Sequence, residues 1–516
     1  MSPSDRGRST RRWLALLRVS LLAAPLVVGC GVRTSPLVEG APPRDAGPAD
    51  APFDLGVDLG VDLGADMTIA RIACEADRDC TGDTVCRATS SIMPTDLAPV
   101  PLFCERRQLV DGADGAACGG TDSAGCERGL CVIAGTCVVP CATVDDCHDG
   151  ERCAQVYVRT GVGELQPVRA CTPMIDAPPS VRSRLDRGIA ATPGGFAPVE
   201  VLLGHAARTT VALVSAQSGA DVYLQALRDR DGLPMFDLGA LGPGLPAQVN
   251  PVNPAAVALT VLLPSGSDLP LGDYRGEFVT DARAVLDRIV LDRDDTGRAL
   301  DLDLYFVAGR LMGPRGALIT PELARAIELF RAFYADVGIV LGEVRTHELV
   351  GGLARGYATL EMDADGRIPE TDTLFALTAG AQGPSVSWFF VRDAEGVLGV
   401  SGGVPGAQCM PGTAASGIAF SSDIMGTGVP LESVLIHETG HFLGLFHTSE
   451  LDGTLLDPFD DTPSCGPDRD ANGDGMLLPD ECVGAGADNV MFWAAMDART
   501  FSPSQRSLVQ RALLLR

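Results

Sequence analysis

Eleven positions near one end constrain this chain more than any others: His437-Glu438-Thr439-Gly440-His441-Phe442-Leu443-Gly444-Leu445-Phe446-His447, an HExxHxxGxxH pattern holding three of the six histidines in 516 residues. A helix from Pro430 to about Phe442 places residues four apart on one face. His437 and His441 then offer imidazole nitrogens to one ion, and Glu438 reaches a water beside it. A third ligand cannot come from that face at a suitable angle, so the chain must turn before His447. Gly444 tolerates the positive φ that such a turn needs. Three neutral imidazoles leave a fourth position open on a zinc ion, the arrangement of a catalytic rather than a structural site, with Glu438 as general base.

These residues resemble those of a metzincin metallopeptidase. The resemblance implies a methionine-bearing turn beneath the metal, and Asp488-Asn489-Val490-Met491-Phe492-Trp493 makes Met491 its candidate. Asp457-Pro458-Phe459-Asp460-Asp461-Thr462-Pro463 is similar to the Asp-Thr-Pro element of the pappalysin family, and Phe501-Ser502-Pro503-Ser504-Gln505 to the start of its closing helix. Gly399-Val400-Ser401-Gly402-Gly403 and Ser416-Gly417-Ile418 resemble its glycine-rich approach to the active-site helix. The likeness covers roughly Asp301 to Arg516 and implies a protein or peptide substrate, paired as an added strand to a sheet edge. Some metzincins carry a tyrosine two places after the methionine. Here that place is Trp493, whose indole neither binds zinc nor titrates.

A second metal loop follows the third histidine. In Asp470-Ala471-Asn472-Gly473-Asp474-Gly475-Met476-Leu477-Leu478-Pro479-Asp480-Glu481, oxygen donors fall at positions 1, 3 and 5, glycine at 6 and glutamate at 12. This matches a twelve-residue calcium loop, with side-chain oxygens from Asp470, Asn472 and Asp474, the Met476 carbonyl, and two oxygens from Glu481. Pro479 hinders an exiting helix, so a lone structural loop is expected. Cys465 and Cys482 bracket it closely enough for a disulfide, which leaves Cys409 without an obvious partner.

The other end of the chain reads as an address. Arg6, Arg8, Arg11 and Arg12 precede an apolar run, Trp13 to Val28, that is broken by Arg18 and is too short for a membrane span. Leu26-Val27-Val28-Gly29-Cys30 resembles a bacterial lipobox, which implies cleavage of residues 1–29 and lipid attachment at Cys30. Gly31 is not the aspartate of inner-membrane retention, so the expectation is a lipid-anchored protein of the outer membrane or cell surface. Residues 30–70, including an Asp-Leu-Gly-Val repeat from Asp54, lack the apolar density for a core and read as a tether.

Cysteine spacing organises residues 71–175. Cys74, Cys80, Cys86 and Cys104 are separated by 6, 6 and 18, as are Cys141, Cys147, Cys153 and Cys171, with Cys118, Cys126, Cys131 and Cys137 between them. Three units of four imply a disulfide array; paired C-x2-C knuckles of zinc ribbons do not occur. Each unit allows three connectivities, and a spacer or protein-binding module is the default role. Residues 178–295 alternate in polarity, with strands expected at Val199–Leu203, Thr210–Val214, Asp221–Leu227, Ala256–Leu263 and Asp273–Val279, which suggests a β-sandwich. His205, His347 and His148 have no partner at ligand spacing and read as surface residues.

Residues 296–516 then form an α+β metzincin-like catalytic domain. A strand is expected at Leu302–Val307, a helix at Pro321–Val337 capped by Thr320, and strands at Ile339–Arg345 and Val386–Val391. The formal net charge of -27 excludes nucleic acid and anionic membrane surfaces as main partners. Two functions fit: a lipid-anchored zinc endopeptidase, or a calcium-stabilised surface adhesion protein with a catalytically silent scaffold. The intact ligands together with Glu438 favour the first, since a scaffold has no physical need of a general base.

Overall fold

The computed structural model describes residues 73–516 with breaks, chiefly at 89–101, 107–117, most of 119–129, 204–208, 217–222, 238–248, 253–256, 263–271, 281–284, 312–318, 364–367 and 495–499. The expected signal peptide, Cys30 and the tether lie outside the described residues, as does His205. Among the described residues no helix is long and apolar enough to cross a membrane.

The cysteine repeat is structural as well as sequential. Strands β1 (Thr84–Ala88) and β2 (Leu102–Arg106) form one antiparallel hairpin, and β3 (Glu151–Arg159) and β4 (Leu165–Pro173) another. A short turn precedes each, and the same carboxylate organises it: Asp79 accepts from the amides of Glu75 and Ala76, Asp146 from those of Ala142 and Thr143. Cys86 stands opposite Cys104, and Cys153 opposite Cys171, yet neither pair is bonded. Each hairpin cysteine bonds instead to the segment folded over it: Cys74–Cys86 and Cys80–Cys104, then Cys141–Cys153 and Cys147–Cys171. The middle unit follows suit with Cys118–Cys131 and Cys126–Cys137. All three units thus join first to third and second to fourth, and a disulfide sulfur has no thiolate left for a metal.

This array does not stand apart as a spacer. Ile133 and Leu165 share a core with Tyr305, Leu353 and Phe375 of the C-terminal domain. The Thr136 hydroxyl donates to the Gly380 carbonyl at 2.7 Å, and half-buried Arg152 donates to the Pro411 carbonyl.

Among the described residues of 182–293 the regular structure is all β-strand. β5 (Arg182–Ala190), β6 (Phe196–Leu203), β7 (Thr209–Ala216), β8 (Tyr223–Arg228), β9 (Pro234–Asp237), β10 (Val249–Val252), β11 (Val257–Leu262), β12 (Gly272–Val279) and β13 (Val285–Arg293) build two antiparallel sheets. Their orders are β10-β11-β7-β13-β5 and β6-β12-β8-β9. The five strands expected from alternation are all present. β13 escaped that reading because the register shifts between Leu286 and Arg288, which breaks the two-residue period. At its end, buried Arg293 donates to the carbonyls of Ala512 and Leu515 at 2.8 and 2.9 Å, fastening this region to the last residues of the chain.

The C-terminal domain carries a five-stranded sheet. It comprises β14 (Ala299–Phe306), β15 (Val340–Glu348), β17 (Val386–Val391), β19 (Gly399–Ser401) and β20 (Ile418–Ser421), ordered β15-β14-β17-β20-β19; β16 (Thr359–Leu360) and β18 (Asp393–Ala394) pair separately. The sheet is parallel except for the antiparallel edge strand β19. Helix α1 (Pro321–Val337) links β14 to β15, starting where the Thr320 hydroxyl accepts from the Leu323 amide and ending at left-handed Gly338. Short helices α2 (Gly351–Gly356) and α3 (Glu370–Phe375) follow. β17 is buried along its whole length because the sheet is covered on both faces. Trp388 meets Phe330 of α1 edge-on at 4.9 Å, while Phe389 stacks on Tyr305 at 4.5 Å on the other side.

His347 is not the surface residue expected. It stacks on Tyr305 and lies 2.7 Å from the Asp303 carboxylate, which Arg345 also grips through two nitrogens. Burial alone would raise Asp303, but Arg345 and His347 hold it at about 2. His148, in contrast, is exposed.

Candidate metal centre

Helix α4 (Leu431–Leu443) is apolar on nearly every side and buried along almost its whole length, so its polar residues are present for something other than solvation. It begins after Pro430 and ends at Gly444, whose φ of 113° returns the chain so that the Leu445 amide donates to the Gly440 carbonyl. That reversal brings His447 back over the helix. The Nε2 atoms of His437, His441 and His447 stand 3.0, 3.0 and 3.1 Å apart, and all three rings are buried.

The other nitrogen of each ring is engaged outward. His437 Nδ1 lies 2.7 Å from the Val490 carbonyl, His441 Nδ1 2.7 Å from the Leu445 carbonyl, and His447 Nδ1 2.9 Å from Glu450 Oε2. An Nδ1–H donated to each acceptor leaves three Nε2 lone pairs aimed at one point. Lone pairs so placed repel unless a cation lies among them. Nitrogens bound at ~2.0–2.1 Å in a tetrahedron stand ~3.3 Å apart, so the triad fits zinc with little adjustment. Burial first, then the neighbouring histidines, pulls His437 down to about 3 and His441 well below its usual range, which keeps both in the neutral ligating form.

Glu438 is buried beside the triad and faces the edge strand. A Cβ at Gly399 of β19 would come within 2.6 Å of Glu438 Cγ and 3.2 Å of Oε1, so only glycine lets strand and carboxylate approach this closely. Beneath the helix, a Cβ on Gly440 would meet Met491 Sδ at 2.5 Å. Met491 therefore packs against α4 at Gly440, fully buried, with its carbonyl accepting from the Thr448 amide at 2.9 Å.

Trp493 points elsewhere. Its indole N–H donates to the Leu477 carbonyl at 2.6 Å, and the ring packs with Phe492 and the expected Cys465–Cys482 disulfide. Indole and disulfide together tie the acidic loop to the methionine turn. Within that loop Asp470 accepts from the Gly473 and Gly475 amides, Asn472 from Asp474, Asp474 from Met476, and Glu481 from Ala471 and Leu478. Its first and last residues are thus drawn together. Its carboxylates are not among the described groups whose ligand atoms converge within 4.8 Å; the histidine triad is. Cys409 is buried and unbonded.

Sequence reasoning missed four residues around the centre. Glu450 follows His447 by three and holds its Nδ1. Asn489 accepts from the Met491 amide, and Gln505 accepts from Asn489 Nδ2. Asp457, in the Asp-Thr-Pro segment, accepts from the Thr462 hydroxyl and the Phe459 amide. Burial, with Asp461 adding to it, pushes Asp457 up to about 7 despite those donors. Glu450 had a signal of its own, a carboxylate three residues past a ligand, whereas Asn489, Gln505 and Asp457 lie in segments already singled out, whose individual contacts spacing does not reveal.

A buried three-histidine site, an adjacent glutamate and a buried methionine under the helix together resemble the centre of a metzincin-like zinc metallopeptidase. Residues 389–505, which contain all of these site residues, match the peptidase M43 family model, described as pregnancy-associated plasma protein-A. No curated protein matches the chain. Among solved structures, the catalytic domain of a GH87 α-1,3-glucanase in complex with nigerose is 10% identical over 42% of this chain and 47% of that one, with a TM-score of 0.17. Two further structures of that glucanase domain, one of them a substituted form, score 0.16. This chain spans about half the length of those chains, and a likeness so slight carries no argument about fold or function.

Proposed function

We propose that this protein is an exported zinc endopeptidase in which Glu438 is the general base. The observation that carries the proposal is the convergence of three imidazole Nε2 atoms within 3.1 Å of one another, with Glu438 buried against the glycine of an edge strand. Zinc held by His437, His441 and His447 would supply a Lewis acid for the scissile carbonyl and acidify the attacking water. Glu438 takes the proton of that water and passes it to the leaving amine as the C–N bond breaks. β19, at the edge of its sheet, accepts an extended peptide as an added strand, with Glu438 packed closely against its Gly399.

The remaining parts have supporting roles in this reading. The loop Asp470–Glu481 binds calcium and stiffens the segment between the third histidine and Met491. The two sheets of residues 182–293 form an accessory β-sandwich, and Cys30 carries the lipid that holds the protein at the bacterial surface. Glu438→Gln tests the mechanism: the variant keeps its zinc and fold, and cleavage of an unfolded protein substrate falls by ~10²–10⁴-fold. Cleavage undiminished in that variant would place the activity elsewhere.

A further inference from the structure

A buried chain of amide groups leads from the closing helix to the metal centre, and its polarity is fixed at every link. Gln505, on the first turn of α5 (Pro503–Val509), is fully buried. Its Oε1 accepts from Asn489 Nδ2 at 2.8 Å and from the Ser502 amide at 2.9 Å, so its Nε2 must face the other way, toward Asp457 Oδ2 at 3.5 Å. Asn489 is buried too, and its Oδ1 accepts from the Met491 amide at 2.9 Å. The turn held in this way carries both the Val490 carbonyl that His437 Nδ1 meets at 2.7 Å and the Met491 carbonyl that takes the amide next to His447.

We propose that Gln505 is a positioning residue for the metal centre, acting through Asn489 to set the turn that orients His437. The inference rests on the zinc metallopeptidase reading. The physical argument is saturation. Asn489 Nδ2, with Gln505 removed, would be a buried donor facing an apolar wall, and the turn would shift to satisfy it. A displacement of the Val490 carbonyl turns the His437 ring, and a ligand held off its direction binds more weakly; loss of such an outer partner commonly lowers metal affinity 10–100-fold.

Zinc affinity of the full chain, measured by competition with a chromophoric chelator, tests this together with the visible spectrum of the cobalt-substituted protein. Gln505→Met keeps the volume and removes both amide functions. It should weaken zinc ~10–100-fold and alter the cobalt spectrum. Ser502→Ala removes the cap of the same helix, where the hydroxyl accepts from the Gln505 amide, without touching Asn489. It should lower the melting temperature and leave zinc affinity within about 2-fold. Assayed above pH 7, where Asp457 is ionised, Gln505→Glu sets two carboxylates against each other, whereas Gln505→Glu with Asp457→Asn exchanges donor and acceptor and restores each link, so the double variant should regain wild-type affinity and spectrum.

A folded Gln505→Met with wild-type affinity overturns the proposal, and so does a Ser502→Ala loss as large as that of Gln505→Met. If Gln505→Met does not fold, the glutamate pair decides: equal zinc affinity in the single and double variants overturns it. Wild-type protein that takes up no zinc would instead refute the metallopeptidase reading itself.

Discussion

The contact between Gly440 and Met491 makes a prediction whose sign depends on the methionine turn. In an isolated helix Gly→Ala is worth ~1 kcal/mol of stability. In α4 the new methyl would meet Met491 Sδ at 2.5 Å, Cε at 3.3 Å and Leu445 Cδ1 at 3.5 Å. Non-bonded carbons rest ~3.5–4.0 Å apart, so the thioether must retreat by ~1 Å from a fully buried position. Overpacking of this kind costs ~1–3 kcal/mol, which outweighs the propensity gain, and Gly440→Ala should destabilise by up to ~2 kcal/mol. Met491→Ala alone should cost ~2–5 kcal/mol through the cavity it leaves. On that background Gly440→Ala should become stabilising by ~1 kcal/mol or more, since its methyl occupies vacated space. The coupling in the double-mutant cycle is then ~2–3 kcal/mol. Denaturant unfolding of the zinc-loaded protein, followed by fluorescence, reads it out, because Trp388 and Trp493 both lie in this domain. Gly440→Ala stabilising by the same amount in both backgrounds would show that Met491 does not lie beneath the helix.

Glu450→Ala should weaken zinc binding by ~10-fold, the low end for an outer partner, because its side chain is 35% exposed and water can take its place on His447 Nδ1; unchanged affinity by chelator competition would count against this role. Asp457 should make stability fall as pH rises. Unfolded, its carboxyl ionises near 3.8, but folded it keeps its proton until about 7, so the folded state holds more protons between about pH 4 and 7 and loses up to ~4 kcal/mol across that window. Asp457→Asn should lack that slope, and parallel melting-temperature profiles for variant and wild type would refute the assignment. Removal of calcium alone should lower the melting temperature and expose the chain near Gly473 to proteases, an effect that Asp470→Ala with Glu481→Ala abolishes if this loop is the site. Cys30→Ser should block lipid attachment, and detergent-phase partitioning that survives it would exclude Cys30 as the anchor.

The sequence by itself determined whatever depends on neighbours along the chain. The four-residue spacing of His437 and His441, the reversal at Gly444, the Thr320 cap of α1 and the bracketing of the acidic loop by Cys465 and Cys482 are local relations, and each stands in the structure as read. The presence of three four-cysteine units was equally legible. Their pairing was not, because hairpin register and the folding of each turn over its hairpin, rather than spacing, select first-to-third and second-to-fourth bonds. Tertiary structure alone also decided that the cysteine array packs against the zinc domain, and that His347 serves Asp303 instead of facing solvent. It placed Glu450 on His447 Nδ1 and ran the amide chain from Gln505 through Asn489 to the turn that holds His437. The reason is common to all of these. A helical face repeats every 3.6 residues and so announces its ligands, whereas the outer partners of those ligands come from separate segments brought together by burial, where polar groups must pair with whatever the fold sets beside them.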